Sequence, residues 1–155
     1  MKQTLNKLEA QLQEMEQKTA FLESMDPKVS KVPVSWHLAH SLKVINSVIA
    51  GLSNSDPADY RKKFSWKKEL VYLTGKIPRG KARAPKLVVP EAHLSREDVL
   101  ERLEKARRGI YQINTLPKNS FFKHPFFGDI TRDQTARFLE IHTEHHLKIV
   151  RDILK

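Results

Sequence analysis

The chain has 155 residues, 39% of them hydrophobic and 30% charged, enough to bury one core and too apolar for an intrinsically disordered protein. It contains no cysteine, which excludes disulfides, thiolate metal sites and a cysteine nucleophile, so any metal must be held by nitrogen and oxygen ligands. The 28 basic and 18 acidic side chains leave a net charge of +10, which permits attraction to nucleic acid or acidic surfaces, or serves solubility alone.

The stretch from Met1 to Met25 is too polar for a signal peptide, and no apolar run approaches the roughly 18 residues of a membrane span. A cytoplasmic protein with no membrane partner is expected. Leu5, Leu8, Leu12, Met15 and Leu22 alternate steps of three and four, with Thr19 in the one gap. They predict a helix from Lys2 to Met25 with a narrow apolar seam. Asp26-Pro27 stops it. A second helix is expected from about Pro33–Ser35 to Leu52, with Leu38, Leu42, Ile45, Val48, Ile49 and Leu52 on one face and Gly51 with Asn54-Ser55-Asp56-Pro57 ending it. A short third helix is predicted over Trp66–Thr74.

Gly75 to Lys86 is rich in glycine, proline and positive charge, with Lys76, Arg79, Lys81, Arg83 and Lys86, and must be a loop that Pro90 prolongs. Ser95-x-x-Asp98 reads as a capping box that opens a helix carrying Val99, Leu103, Ala106, Ile110 and Ile113, and Pro117 ends it. The phenylalanine run Phe121-Phe122-Lys123-His124-Pro125-Phe126-Phe127 follows as a loop that plugs the bundle end or lines a pocket. Thr131-x-x-Gln134 is a second capping box, opening a last helix to Leu154. Four long helices, one short one and an inserted basic loop predict a single all-α domain over 1–155, an up-and-down four-helix bundle.

The last helix carries His142, His145 and His146 within five residues. His142 and His146 are one turn apart on one face, a spacing that lets two imidazoles reach one metal ion at about 2.0–2.1 Å. With His145 they extend the rows of Phe138, Leu139, Ile149 and Val150, so all three fall at core positions, where imidazole must be hydrogen-bonded or ligated. A second group, Trp36-His37-x-x-His40, sits near the start of the second helix. In strict up-and-down order the second and last helices run the same way. The two groups then lie roughly 10–15 Å apart in depth, so spacing alone does not bring them together. His93 belongs to neither group and is the natural control in a metal-binding test. Glu144 is out of register for the zinc-protease motif His-Glu-x-x-His. Glu140 and Glu144 read as solvent-facing helix residues.

Three segments, Trp36-His37-Leu38-Ala39-His40-Ser41-Leu42, Phe122-Lys123-His124-Pro125-Phe126-Phe127-Gly128 and Phe138-Leu139-Glu140-Ile141-His142-x-x-His145-His146, give the chain a pattern that resembles the DinB-like superfamily of metal-dependent four-helix-bundle proteins. The resemblance implies a helix order that is not simply sequential around the ring, which removes the depth problem. It also implies a divalent metal, zinc or nickel foremost with iron or manganese also compatible, on His40, His142 and His146. His37 is the alternative first ligand, because on a helical wheel it lies closer than His40 to the face of Leu38 and Ile45. His145 becomes a neighbouring polar group. Three imidazoles leave a coordination position open, the arrangement of a catalytic site.

The function expected is therefore a metal-dependent enzyme acting on a small molecule, anionic or thiol-bearing, in the manner of the thiol-dependent transferases or hydrolase-like members of that superfamily. The competing reading is a nucleic-acid-binding or non-catalytic interaction protein. The net charge and the basic loop favour it, but no nucleic-acid-binding motif accompanies them. The leucine seam of the first helix could also pair two copies into a homodimer, although it serves more simply as bundle core.

Overall fold

The computed structural model describes residues 2–80, 85, 88–91 and 94–155. Lys81, Arg83 and Lys86 of the basic loop, and the control residue His93, lie outside the described residues. The chain forms α1 (Lys2–Lys18), α2 (Val34–Ser53), α3 (Trp66–Thr74), α4 (Arg96–Gln112), a two-stranded antiparallel sheet of β1 (Phe121–His124) and β2 (Gly128–Thr131), and α5 (Arg132–Ile153). No helix among the described residues is long and apolar enough to cross a membrane.

Local chemistry accounts for most boundaries. α3 starts where the Ser65 hydroxyl accepts from Lys68 N–H, and ends at Gly75 in the left-handed conformation (φ 62°). Ser95 and Asp98 form the expected capping box, with bonds of 3.1 and 2.9 Å. Gln134 Oε1 accepts from Thr131 N–H at the start of α5. The first helix is shorter than expected: α1 stops at Lys18 and tightens into a 3-10 turn over Thr19–Phe21, where the Thr19 hydroxyl bonds back to the Glu16 carbonyl. Its seam faces inward, since Leu5, Leu8, Leu12 and Met15 are buried in the chain's own core.

The expected up-and-down ring order is corrected. α1 and α2, neighbours in sequence, do not form one of the main helix pairs. Each instead packs against both α4 and α5. Cross-helix contacts give the directions. Gln11 reaches Glu140 and Glu144 while Glu14 meets Arg151, so α1 and α5 are parallel. Arg107 bridges Glu9 and Glu16 while Arg96 reaches Thr19, so α1 and α4 are antiparallel. The Asn46 amide donates to the Arg102 carbonyl and Ile49 faces Gly109, so α2 and α4 are parallel. The connection between α2 and α4 accounts for this: it carries α3 and the basic loop, long enough to run back along a helix of about 30 Å and start α4 level with α2. α5 then runs antiparallel to α2, bringing the start of α2 beside the second half of α5.

The phenylalanine segment is also corrected, from a loop to a hairpin. Phe121 pairs with Thr131, Phe122 with Ile130, Lys123 with Asp129 and His124 with Gly128. His124 makes the turn: its Nδ1 accepts from the N–H groups of Phe126 and Phe127, and its ring stacks on Phe127 at 4.2 Å. Gly128 supplies the positive φ of 72°. Strands of four residues are too short to declare a period of two, which is why the sequence pattern hid them.

α2 is capped at Asn54, as the Asn54–Pro57 stop signal predicts, whereas Gly51 lies inside the helix. A Cβ there would stand 3.3 Å from the Cβ of Phe122, so the missing side chain lets the hairpin close on the helix. Gly51→Val is accordingly expected to lower stability by about 1–3 kcal/mol through overpacking, read as a lower urea midpoint with an unchanged slope.

Candidate metal centre

The antiparallel contact of α2 and α5 gathers the two histidine groups that linear spacing separates. His40 approaches His142 with ring centroids 5.2 Å apart and His146 at 4.7 Å. One ring nitrogen from each of His40, His142 and His146 forms a set lying within 4.8 Å of one another. Two nitrogens bonded to one ion at 2.0–2.1 Å stand at most about 4.2 Å apart, so modest side-chain rotation fits the set to a single cation. Among the described residues no carboxylate joins it.

Each ring is held by neighbours that bear on which nitrogen is free. His40 Nδ1 lies 2.8 Å from the Val88 carbonyl, an acceptor only, so Nδ1 carries the proton and Nε2 the lone pair. Trp36 stacks on the same ring at 4.8 Å and 12°. His146 Nδ1 lies 3.1 Å from His37 Nδ1, and His37 Nε2 lies 2.9 Å from Ser30 Oγ. Ser30 Oγ also accepts from Val32 N–H. One proton arrangement leaves His146 Nε2 unprotonated: His146 donates from Nδ1 to His37, and His37 donates from Nε2 to Ser30. His142 Nδ1 is buried with no hydrogen-bond partner, and no other orphaned side-chain atom lies in the histidine group. A buried unpaired ring nitrogen costs about 1–3 kcal/mol, and bonding to a cation removes that cost. The donor set therefore fits a borderline metal with nitrogen preference.

Burial keeps these imidazoles neutral. It pushes His37 down to about 4, assisted by His40, His145 and Arg79. It also lowers His40, against the opposing pull of the Val88 carbonyl. Burial first and the neighbouring imidazoles second hold His142 and His146 well below the ordinary histidine value. His145 is lowered by burial and by Arg79. Neutral imidazole is the form that binds metals.

The histidine group opens into a cavity of about 1270 Å³. One wall is the hairpin: Phe121, Phe122, Phe126 and Phe127 all line it, together with His124. Burial pushes His124 down to about 4. Trp66, Leu70 and Val71 of α3, and Lys76 beyond it, also line the cavity.

The flanking acids point elsewhere. Glu144 binds Arg151 and Gln11, and Glu140 pairs with Arg137 and Lys7, so both tie α5 to its surroundings in half-buried ion pairs rather than facing open solvent. The supporting residues Ser30 and Val88 carry no signal in the sequence, because both sit in irregular segments and Val88 acts through its backbone. His124 was visible only as one member of the aromatic run.

A family model described as a protein of unknown function (DUF1569) matches residues 59–153, more than half of the chain. The matched span takes in α3, the hairpin and the histidines of α5, and α2 precedes it. No curated protein and no solved structure matches the chain.

Proposed function

Because the chain belongs to the DUF1569 family, we propose that it is a divalent-metal-binding protein with the ion on His40, His142 and His146, and that the site is enzymatic. The observation that carries this reading is the set of three neutral imidazole nitrogens within 4.8 Å at the head of a cavity. Zinc or nickel suits three nitrogen donors. The helix order around the ring supports a DinB-like four-helix bundle as the architecture, a likeness that rests on the histidine and hairpin segments.

Three protein ligands leave a position for a substrate atom or water, where a bound cation supplies Lewis acidity and lowers the pKa of what it holds. The chain's own residues do the rest. The Val88 carbonyl and Trp36 orient His40, and Ser30 and His37 orient His146. The hairpin phenylalanines give the cavity an apolar wall. A small molecule with a thiol or an anionic group is the substrate class proposed, its charged end met by Lys76 at the border of the cavity.

Metal analysis of the purified protein tests the reading. One zinc or nickel per chain is expected after loading and dialysis. Less than about a tenth of that, with no uptake of either ion, would overturn it. His37→Ala is expected to weaken metal binding by about 10–100-fold without abolishing it, because it removes the group that sets the His146 ring rather than a ligand. Isothermal titration of the variant with zinc reads this directly.

A further inference from the structure

The α3 helix is folded with its polarity reversed. Its buried side chains are Lys68 and Val71, while Trp66, Leu70 and Leu73 are 62%, 51% and 85% exposed. At about 100° per residue the three exposed side chains form one narrow stripe diametrically opposite Lys68, Val71 and Tyr72. Phe64, 84% exposed, precedes the helix, and Phe126, 53% exposed, stands at the tip of the hairpin. The two elements make one surface. Arg61 N–H donates to Asp129 of β2, a Cβ at Gly128 would stand 3.8 Å from that of Lys63, and Trp66, Leu70 and Phe126 share the wall of the cavity.

Charge frames the apolar stripe. Lys62, Lys63, Lys67, Lys76 and Lys123 are exposed and have no acidic partner among the described residues. Glu69 is the single acid on α3. We infer that this surface docks on an anionic lipid bilayer, with Trp66, Leu70, Leu73, Phe64 and Phe126 entering the interface and the lysines facing acidic headgroups. Tryptophan, phenylalanine and leucine bordered by lysine is the composition that lies stably at a lipid–water boundary. A second copy is disfavoured as occupant, because a two-fold contact would set the unpaired lysines against their own counterparts. The expectation of no membrane partner rested on the lack of an apolar run long enough to span a bilayer, a test that does not bear on a surface lying on one.

Co-sedimentation with vesicles tests the inference, using phosphatidylcholine alone and phosphatidylcholine with about one third phosphatidylglycerol. Partition at least about tenfold stronger into the anionic vesicles is expected at low salt, weakening as salt rises. Leu70→Asp/Leu73→Asp is expected to lower that partition by more than about tenfold, the loss of two leucine anchors. Both positions are exposed, so circular dichroism of the variant should match the parent. Absence of binding to anionic vesicles would overturn the inference. So would undiminished binding of the double variant, which would mean attraction by net charge alone. Lipid-free self-association abolished by the same substitutions would assign the stripe to a second copy instead.

Discussion

His142→Ala is expected to abolish stoichiometric metal binding, whereas His145→Ala keeps it. His142 supplies one of the three nitrogens and holds the buried ring nitrogen that lacks any other partner. Its removal leaves two imidazoles from different helices, and affinity should fall by more than about a hundredfold, beyond what loss of a supporting group costs. His145 is one residue from His146, with ring centroids 5.0 Å apart, yet stands outside the three-nitrogen set. Titration with zinc separates the two. Saturating metal should also raise the stability of the parent, by about 2.7 kcal/mol at a hundred times the dissociation constant, and leave His142→Ala unmoved. Equal losses in both variants would show that the cluster acts as a general polar patch and not as a defined ligand set.

Acidification should unfold the metal-free protein well above the pH at which its carboxylates protonate. His37 and His124 are both pushed from 6.5 down to about 4 in the folded chain, chiefly by burial. Between those two values the unfolded chain takes up protons that the folded chain refuses, so stability falls as pH falls. The effect begins near pH 6.5 and is complete for these two groups near pH 4. Each contributes about 3 kcal/mol of loss, against a total of about 5–15 kcal/mol for a typical domain. His142 and His146, also held well below the ordinary value by burial, add to the loss in the same direction. Scanning calorimetry without metal should show the melting temperature dropping steeply from pH 7 to pH 5. With metal the slope should be steeper still, since protons also compete for the ligand nitrogens. A melting temperature flat across that range would mean that the histidines titrate as if exposed.

The sequence made some elements readable because their signals are local. The Ser95/Asp98 capping box and the tryptophan-to-threonine run of α3 depend only on residues within one turn, and both stand where the pattern put them. The hairpin was not readable: its four-residue strands are held by a side-chain acceptor, His124 Nδ1, that no period reports. Ring order was hidden for a related reason. Nothing in residues 54–95 announces that the connection returns to the start of α2, yet that return decides whether the histidines of α2 and α5 meet. The i, i+4 pair His142 and His146 was legible from helix geometry alone. The approach of His40 depends on tertiary packing, and only the DinB-like resemblance anticipated it. The exposed stripe of α3 shows the same limit, since periodicity cannot say which face of a helix meets the core.

The ligand set itself is the central claim, and X-ray absorption at the metal edge of the zinc-loaded protein tests it most directly. The expected spectrum has a nitrogen or oxygen shell at about 2.0–2.1 Å with the outer-shell scattering of three imidazoles, one of them lost in His40→Ala. A shell with one imidazole or none, or a spectrum unchanged by His40→Ala, would contradict the site.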